Sequence, residues 1–260
     1  MMRCLIVSDL HYSLNQFDWV LQNASKYDLI IIAGDLLDIT GIADLRAQIL
    51  VINKYVQKLS AITNIIVCSG NHDLDSLNSE GEKIPSWLVA LKKHGARCDG
   101  DGFLQENFYF SICPWWDGPL EKERFLNWIE DQSKAYGQNK WIWVHHAPPK
   151  MSPTSWSGKK CLGDLDLRLL IEKYQPYAVI SGHIHQSPFV DGGSWVDRIG
   201  ETFCLNAGRQ FGAPPAHISF DTQSQDVYWV SAMDIQSINF QTKNTVKNTN
   251  LATIPHWMAS

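Results

Sequence analysis

The chain has 260 residues, 45% of them hydrophobic and 19% charged. Its 22 basic and 27 acidic side chains leave a net charge of −5. This globular balance excludes collagen-like, coiled-coil and wholly disordered chains, suits one large domain, and offers no bulk positive charge for coating nucleic acid.

In chain order, the apolar run at 4–8 predicts a strand and 15–24 a helix. The unbroken apolar run at 29–33 is that of a strand buried on both faces. Within 43–59, Leu45, Ile49, Ile52, Val56 and Leu59 recur at helical spacing. A strand is expected at 65–68, then a helix at 85–93 with Pro85 near its first turn. Strands at 108–113, 141–144 and 178–180 alternate with helices at 120–132 and 165–174. Four strands then follow without helices, at 194–199, 202–205, 217–220 and 227–230. The alternating part predicts an α/β sheet with helical crossovers, and the later strands an antiparallel sheet packed against it. From 236 the chain turns polar, so we expect a domain over 1–235 and a loosely packed extension over 236–260.

The first apolar run, about five residues, is too short for a signal peptide, and no window approaches the ~20 apolar residues of a membrane span. None of the six cysteines forms a C-x-x-C pair. Buried free thiols in a reducing, cytoplasmic compartment are expected, ahead of a disulfide framework or a cysteine-ligated zinc.

Five polar segments begin where apolar strand runs end: Asp9-Leu10-His11, Gly34-Asp35-Leu36-Leu37-Asp38, Gly70-Asn71-His72-Asp73, His145-His146 and Gly182-His183-Ile184-His185. Open α/β sheets bind ligands beyond the carboxyl ends of their strands, so one rim collects these side chains. Singly, each segment reads as a turn or a satisfied loop. Jointly they point to chemistry, because carboxylate oxygens and imidazole nitrogens together suit Mn, Fe or Zn. The donors are too many for one ion and enough for two. A bridging carboxylate would hold such ions at roughly 3.5–4 Å and supply a hydroxide nucleophile.

The ordered set D-x-H, G-D-x-x-D, G-N-H-D, H and G-H-x-H resembles the calcineurin-like metallophosphoesterase superfamily, with the match running from Asp9 to His185. Asn206-Ala207-Gly208 is similar to the family's Asn-Pro-Gly element. The resemblance implies a four-layer αββα sandwich of two mixed β-sheets flanked by helices. It implies two divalent or mixed-valence transition-metal ions, one held by Asp9, His11 and His185 and the other by Asn71, His145 and His183. Asp35 would bridge them. His145 leaves its strand directly and aligns best with the family ligand, which places His146 beside the site. His72 matches the catalytic histidine that assists the leaving oxygen, and Asp38 the acid that orients it. Asp73 is expected to cap its own turn.

The implied reaction is in-line attack of a metal-bound hydroxide on a small phosphodiester or phosphomonoester, with a nuclease on DNA or RNA and an idle scaffold as alternatives. Ile39 stands where protein serine/threonine phosphatases carry Arg, and His72 where lipid A precursor hydrolases usually carry Arg. Retromer-type relatives lose metal ligands, and none is lost here. The DNA-repair nucleases of the superfamily are typically longer, so nucleic acid is not the favoured partner. Of the eleven Trp, the pair Trp115-Trp116 and Trp156 are expected to pack core and lid, and Lys159-Lys160 to sit in a solvated loop.

Overall fold

In β1 (Arg3–Val7), Cys4 and Ile6 cover one face and Leu5 and Val7 the other, and all four are buried. In β2 (Leu29–Ala33), Leu29, Ile31 and Ala33 share the first face, and Ile30 and Ile32 the second. A strand apolar on both sides has to lie between two layers.

The computed structural model describes residues 2–243, 245–249 and 253–259. Helix α1 (Leu14–Asn23) joins β1 to β2, and α2 (Leu45–Ser60) joins β2 to β3 (Asn64–Cys68). The Asp44 carboxylate starts α2 by accepting from the backbone N–H groups of Arg46 and Ala47. The hairpin of β4 (Ser76–Leu77) and β5 (Lys83–Ile84), helix α3 (Leu88–Lys92) and β6 (Arg97–Cys98) follow. Next come β7 (Gly102–Gln105), β8 (Phe108–Ile112), α4 (Pro119–Ala135), β9 (Lys140–Val144), α5 (Leu165–Tyr174) and β10 (Ala178–Ser181). The chain then runs through β11 (Val196–Ile199), β12 (Thr202–Asn206), β13 (His217–Asp221), β14 (Asp226–Val230), β15 (Ile235–Asn239), β16 (Lys247–Thr249) and α6 (His256–Ala259).

One sheet has the order β16-β15-β14-β13-β1-β2-β3-β6, and the other β11-β12-β10-β9-β8-β7. Both are mixed: β1, β2, β3 and β6 run parallel, as do β12, β10, β9 and β8, with antiparallel strands outside them. Ile6, Ile31 and Ile66 of the first sheet and Phe110, Val144 and Ile180 of the second share one buried cluster between the sheets. A second cluster lies under α1, α2 and α3 and a third under α4 and α5. The layers are therefore helix, sheet, sheet, helix.

Two expectations change. The later strands do not make a sheet of their own: β11 and β12 complete the second sheet and β13 and β14 extend the first. The helix expected at 85–93 shrinks to α3, because the Asp75 carboxylate accepts from the Ser86 hydroxyl and the Trp87 N–H and holds the entry outside the helix. Across 236, where the sequence turns polar, β15 pairs antiparallel with β14. Phe240 is buried and stacks on Phe203 at 3.8 Å between ring centres. Among the described residues, no helix is long and apolar enough to cross a membrane. All six cysteines are free thiols, and five are buried.

Candidate metal centre

The rim is built by loops that lace the strand ends together. The N–H groups of Asp9, His11 and Tyr12 donate to the carbonyls of Gly34, Asp35 and Leu36, at 3.1, 2.9 and 2.8 Å. Asp9, His11, Asp35 and His183 all adopt positive φ, of 55°, 42°, 53° and 68°. Left-handed backbone costs a residue with a Cβ about 1–3 kcal/mol, and Asp and His tolerate it better than bulky residues. Four such positions at one rim mark a place where side-chain direction outweighs backbone comfort.

Glycines let these loops close. A Cβ on Gly70 would lie 2.1 Å from Asp35 Oδ1, and one on Gly182 would lie 2.5 Å from Asp9 Oδ2. The Gly-Asn and Gly-His pairs of the motifs are thus contact requirements, since any larger residue would displace a carboxylate.

Three groups of donors converge. Asp9, His11, Asp35 and His185 form one, His11, Asp38 and His72 a second, and Asp35, His146 and His183 a third, each with its ligand atoms within 4.8 Å of one another. Asp35 belongs to the first and the third, and His11 to the first and the second. Asp9 Oδ1 lies 3.2 Å from His185 Nε2, and His11 Nε2 lies 3.1 Å from His185 Nε2. Asp35 Oδ2 lies 3.2 Å from His146 Nε2, while its Oδ1 accepts the His72 N–H at 2.8 Å. The Asn71 side-chain oxygen is buried with no hydrogen-bond partner. A buried, unpartnered oxygen of this kind fits the role of a cation ligand.

The structure parts from the sequence expectation at the adjacent histidines. His146, not His145, joins the carboxylates, and its Nδ1 lies 2.8 Å from the Ala33 carbonyl, which fixes the ring. His145 turns to the opposite side of β9, stacking on Trp116 at 4.7 Å and 11° and lying near Phe125. The cause is side-chain alternation carried just past the end of β9, where the His145 N–H still donates to Ile180 and the His146 carbonyl accepts from Gly182: one residue's step swaps the helix face for the inter-sheet face.

Asp38 also takes different partners. Its Oδ1 stands 3.8 Å from His72 Nδ1, beyond hydrogen-bond reach, and accepts instead from the Thr40 N–H at 2.9 Å and hydroxyl at 2.6 Å. The contact to His72 Nδ1 is a long one from the Ile39 N–H, at 3.4 Å. Asp73 does more than cap a turn. It accepts from Gly70 locally and from Leu36 and Leu37 across the rim, tying the β2 loop to the β3 loop. Asn206 donates to Thr154, Ile184 and Ser187 and accepts from Gly208, which makes it a brace between loops. Trp115 packs beside His183 at 5.2 Å, and Lys159 and Lys160 are exposed.

Two positioning residues escaped the sequence reading. Buried Gln48 accepts from the Asp38 N–H and donates to the Asp38 and Ala43 carbonyls. Buried Gln16 donates to the Gln210 and Gly212 carbonyls. Each lies on the apolar face of its helix, and a polar residue within such a stripe was the available signal.

The charges make the rim a place for cations. Burial holds His11 and His183 down to about 4, so both are neutral near pH 7 and ready to act as ligands. Burial works against charge on His146 as well, yet the Asp35 and Asp9 carboxylates outweigh it and hold that imidazole up at about 10, so a cation bound there would take the place of its proton. Burial would raise Asp9 and Asp35, but the hydrogen bond from His185 to Asp9 and the charge of His146 beside Asp35 leave both below the usual carboxylate range.

A profile of the calcineurin-like phosphoesterase family matches residues 2–187. No curated protein matches the chain. Among solved structures, a protein from Thermus thermophilus is similar at TM-score 0.60 and 12% identity, over 96% of this chain and 98% of that one. A dimetal phosphatase from Danio rerio is similar at TM-score 0.61 and 13% identity, over 92% and 98%. The anchor protein of the Plasmodium inner membrane complex is similar at TM-score 0.51 and 11% identity, over 96% and 88%. At these identities the likeness is one of fold.

Proposed function

We propose, for a chain that belongs to the calcineurin-like phosphoesterase family, that it is a dinuclear metal-dependent hydrolase of a small phosphate ester. The observation that carries this reading is Asp35, the one carboxylate shared between two of the donor groups, that of Asp9, His11 and His185 and that of His146 and His183. A shared carboxylate is what a two-metal site needs as its bridge. Asp9, His11, Asp35 and His185 are assigned to one ion, and Asp35, Asn71, His146 and His183 to the other. The mixed oxygen and nitrogen set suits Mn, Fe or Zn.

When bound, such ions lower the pKa of a coordinated water toward neutrality and offset charge on a phosphate. The chain's own side chains complete the site. Asp9 is anchored by the His183 N–H, which donates to both its oxygens at 3.0 and 3.1 Å. His72 stands edge-on to His11 at 4.5 Å, on the open side of the rim. The Ile39 N–H faces its Nδ1, which leaves the proton on Nε2, where it serves the departing oxygen. Fold by itself does not decide catalysis. The converging donors support the enzyme. The buried free thiols support a reducing compartment such as the cytoplasm.

The test joins elemental analysis to turnover of nitrophenyl phosphate and bis-nitrophenyl phosphate with Mn, Fe, Zn and Mg. The expected result is two ions per chain, turnover abolished by EDTA, and loss of both ions in Asp35→Asn. No metal-dependent turnover of either ester would sink the reading, and an unchanged stoichiometry in Asp35→Asn would remove the bridge.

A further inference from the structure

Past the donor cluster, His185 also borders a cleft of about 310 Å³, whose other walls are Gln186, Phe189, Val190, Arg209 and Phe211. The volume is at the lower end of small-molecule sites. Three features of this wall point to a ligand.

The first is Arg209. Its backbone N–H donates to the His185 carbonyl at 3.1 Å, so it is tied to the rim. Among the described residues no carboxylate pairs with its guanidinium, which lies over the Phe211 ring at 5.4 Å. An uncommitted guanidinium beside the rim is a binding group for phosphate oxygens.

The second is Phe211, which is 92% exposed. An aromatic ring so open to water gains free energy when a flat group covers it.

The third is that this ring is held out on a pinned loop. Gln16 is 2% exposed, and its amide donates to the carbonyls on both sides of Phe211, at 2.8 Å to Gln210 and 2.6 Å to Gly212. The Gln210 side chain donates to the Pro214 carbonyl at 2.7 Å and accepts from the Ala232 N–H at 2.9 Å. The backbone that carries the ring is therefore ordered before any ligand arrives, which lowers the entropy cost of stacking.

We propose that Arg209 and Phe211 form the specificity subsite of this enzyme. Arg209 takes a non-reacting phosphate oxygen, and Phe211 stacks on a flat ring carried by the esterified alcohol. The substrate class is then a nucleoside phosphate or cyclic nucleotide rather than a sugar phosphate. A polynucleotide is disfavoured by the small cleft and by the chain's net charge of −5, which gives no long-range attraction to a phosphate backbone. The assignment rests on the phosphoesterase reading above.

The experiment compares adenosine monophosphate with ribose phosphate, which has the same sugar and phosphate but no base. KM and kcat are measured for the metal-loaded wild type, Phe211→Ala, Phe211→Trp, Arg209→Ala and Arg209→Lys. Phe211→Ala is expected to raise KM for the nucleotide about tenfold, within the range of base–aromatic stacking, and to leave ribose phosphate unchanged. Phe211→Trp restores the nucleotide KM. Arg209→Ala weakens kcat/KM for both esters about tenfold, and Arg209→Lys recovers part of the loss. Adenosine binding, read by ligand-observed NMR, gives a measurement without turnover: the wild type broadens the base protons and Phe211→Ala does not. Equal effects of Phe211→Ala on both esters, or adenosine binding unchanged by it, overturn the subsite. Faster turnover of an oligonucleotide overturns the small-substrate class. A wild type that turns over no ester overturns the parent reading, and the adenosine measurement then still decides the stacking site.

Discussion

His145 and His146 are neighbours in the chain and stand on opposite sides of one sheet. On the inter-sheet side, His146 meets Asp35 and Asp9 and is held up at about 10. On the helix side, His145 lies among Trp116, Phe125 and Trp115, where burial drives it down to about 3. Residue type is identical and exposure is nearly so, at 1% and 0%. What differs is the charge each ring faces. A buried imidazole becomes a candidate ligand when carboxylates surround it and a packing residue when aromatic rings do.

Exchanging the roles of the two histidines gives the largest expected effect. His146→Ala should lose one of the two ions and on the order of a thousandfold in turnover, a loss of the size seen when a key transition-state contact is removed. His145→Ala should keep both ions and lose about 3 kcal/mol of stability through the cavity left among the aromatic rings. Elemental analysis with thermal melts separates the two, and metal lost from His145→Ala instead would reverse the comparison.

A second variant isolates chemistry from metal on the same rim. His72→Ala should retain both ions yet lose about a hundredfold in kcat, most with alkyl esters whose leaving oxygen needs a proton. Full kcat on an alkyl ester would remove His72 from that role.

Gly34→Ala tests how tightly the inter-sheet side is built. Gly34 has φ of +87°, and an added Cβ would lie 2.3 Å from His146 Nδ1. We expect weaker metal retention and a Tm lower by several degrees, since about 1 kcal/mol moves a domain of this size by about 2–4 °C. An unshifted Tm with both ions retained would show that the loop yields freely.

The smallest effect concerns Asp99, a carboxyl outside the donor cluster. Burial raises it from 3.8 to about 6, although the Ser69 N–H donates to it at 2.9 Å. The folded protein therefore binds this proton more tightly than the unfolded chain does. Its contribution favours folding below about pH 4 and is lost as pH rises from about 4 to 6, by about 2 kcal/mol. Chemical denaturation across that window should show the decline in the wild type and not in Asp99→Asn. A flat wild-type profile would discard the shift.

Much of this was legible in advance, for identifiable reasons. Strands such as Leu29–Ala33 are continuous apolar runs, and their ends carry the Asp, Asn and His that stand out against them. The two-residue strands β4, β5 and β6 were not legible, being too short to show a period. Strand β15 was hidden because an outlying strand needs few apolar residues, and its burial comes mainly from Ile235. The Arg209–Phe211 wall was hidden because nothing local marks an exposed Phe as held in place. That required Gln16, 194 residues from Gln210 along the chain.

By itself the sequence determined the alternation of strands and helices and the segments that reach the rim, because burial periodicity and strand-end chemistry are local properties, while the four-layer arrangement was what the family resemblance implied. Tertiary structure decided which of two adjacent histidines faces the carboxylates, that Asp38 hydrogen-bonds Thr40 while standing 3.8 Å from His72, and that Phe211 stands beside Arg209. Those outcomes depend on which face of a strand meets which layer and on hydrogen bonds between distant loops, and no local pattern encodes either.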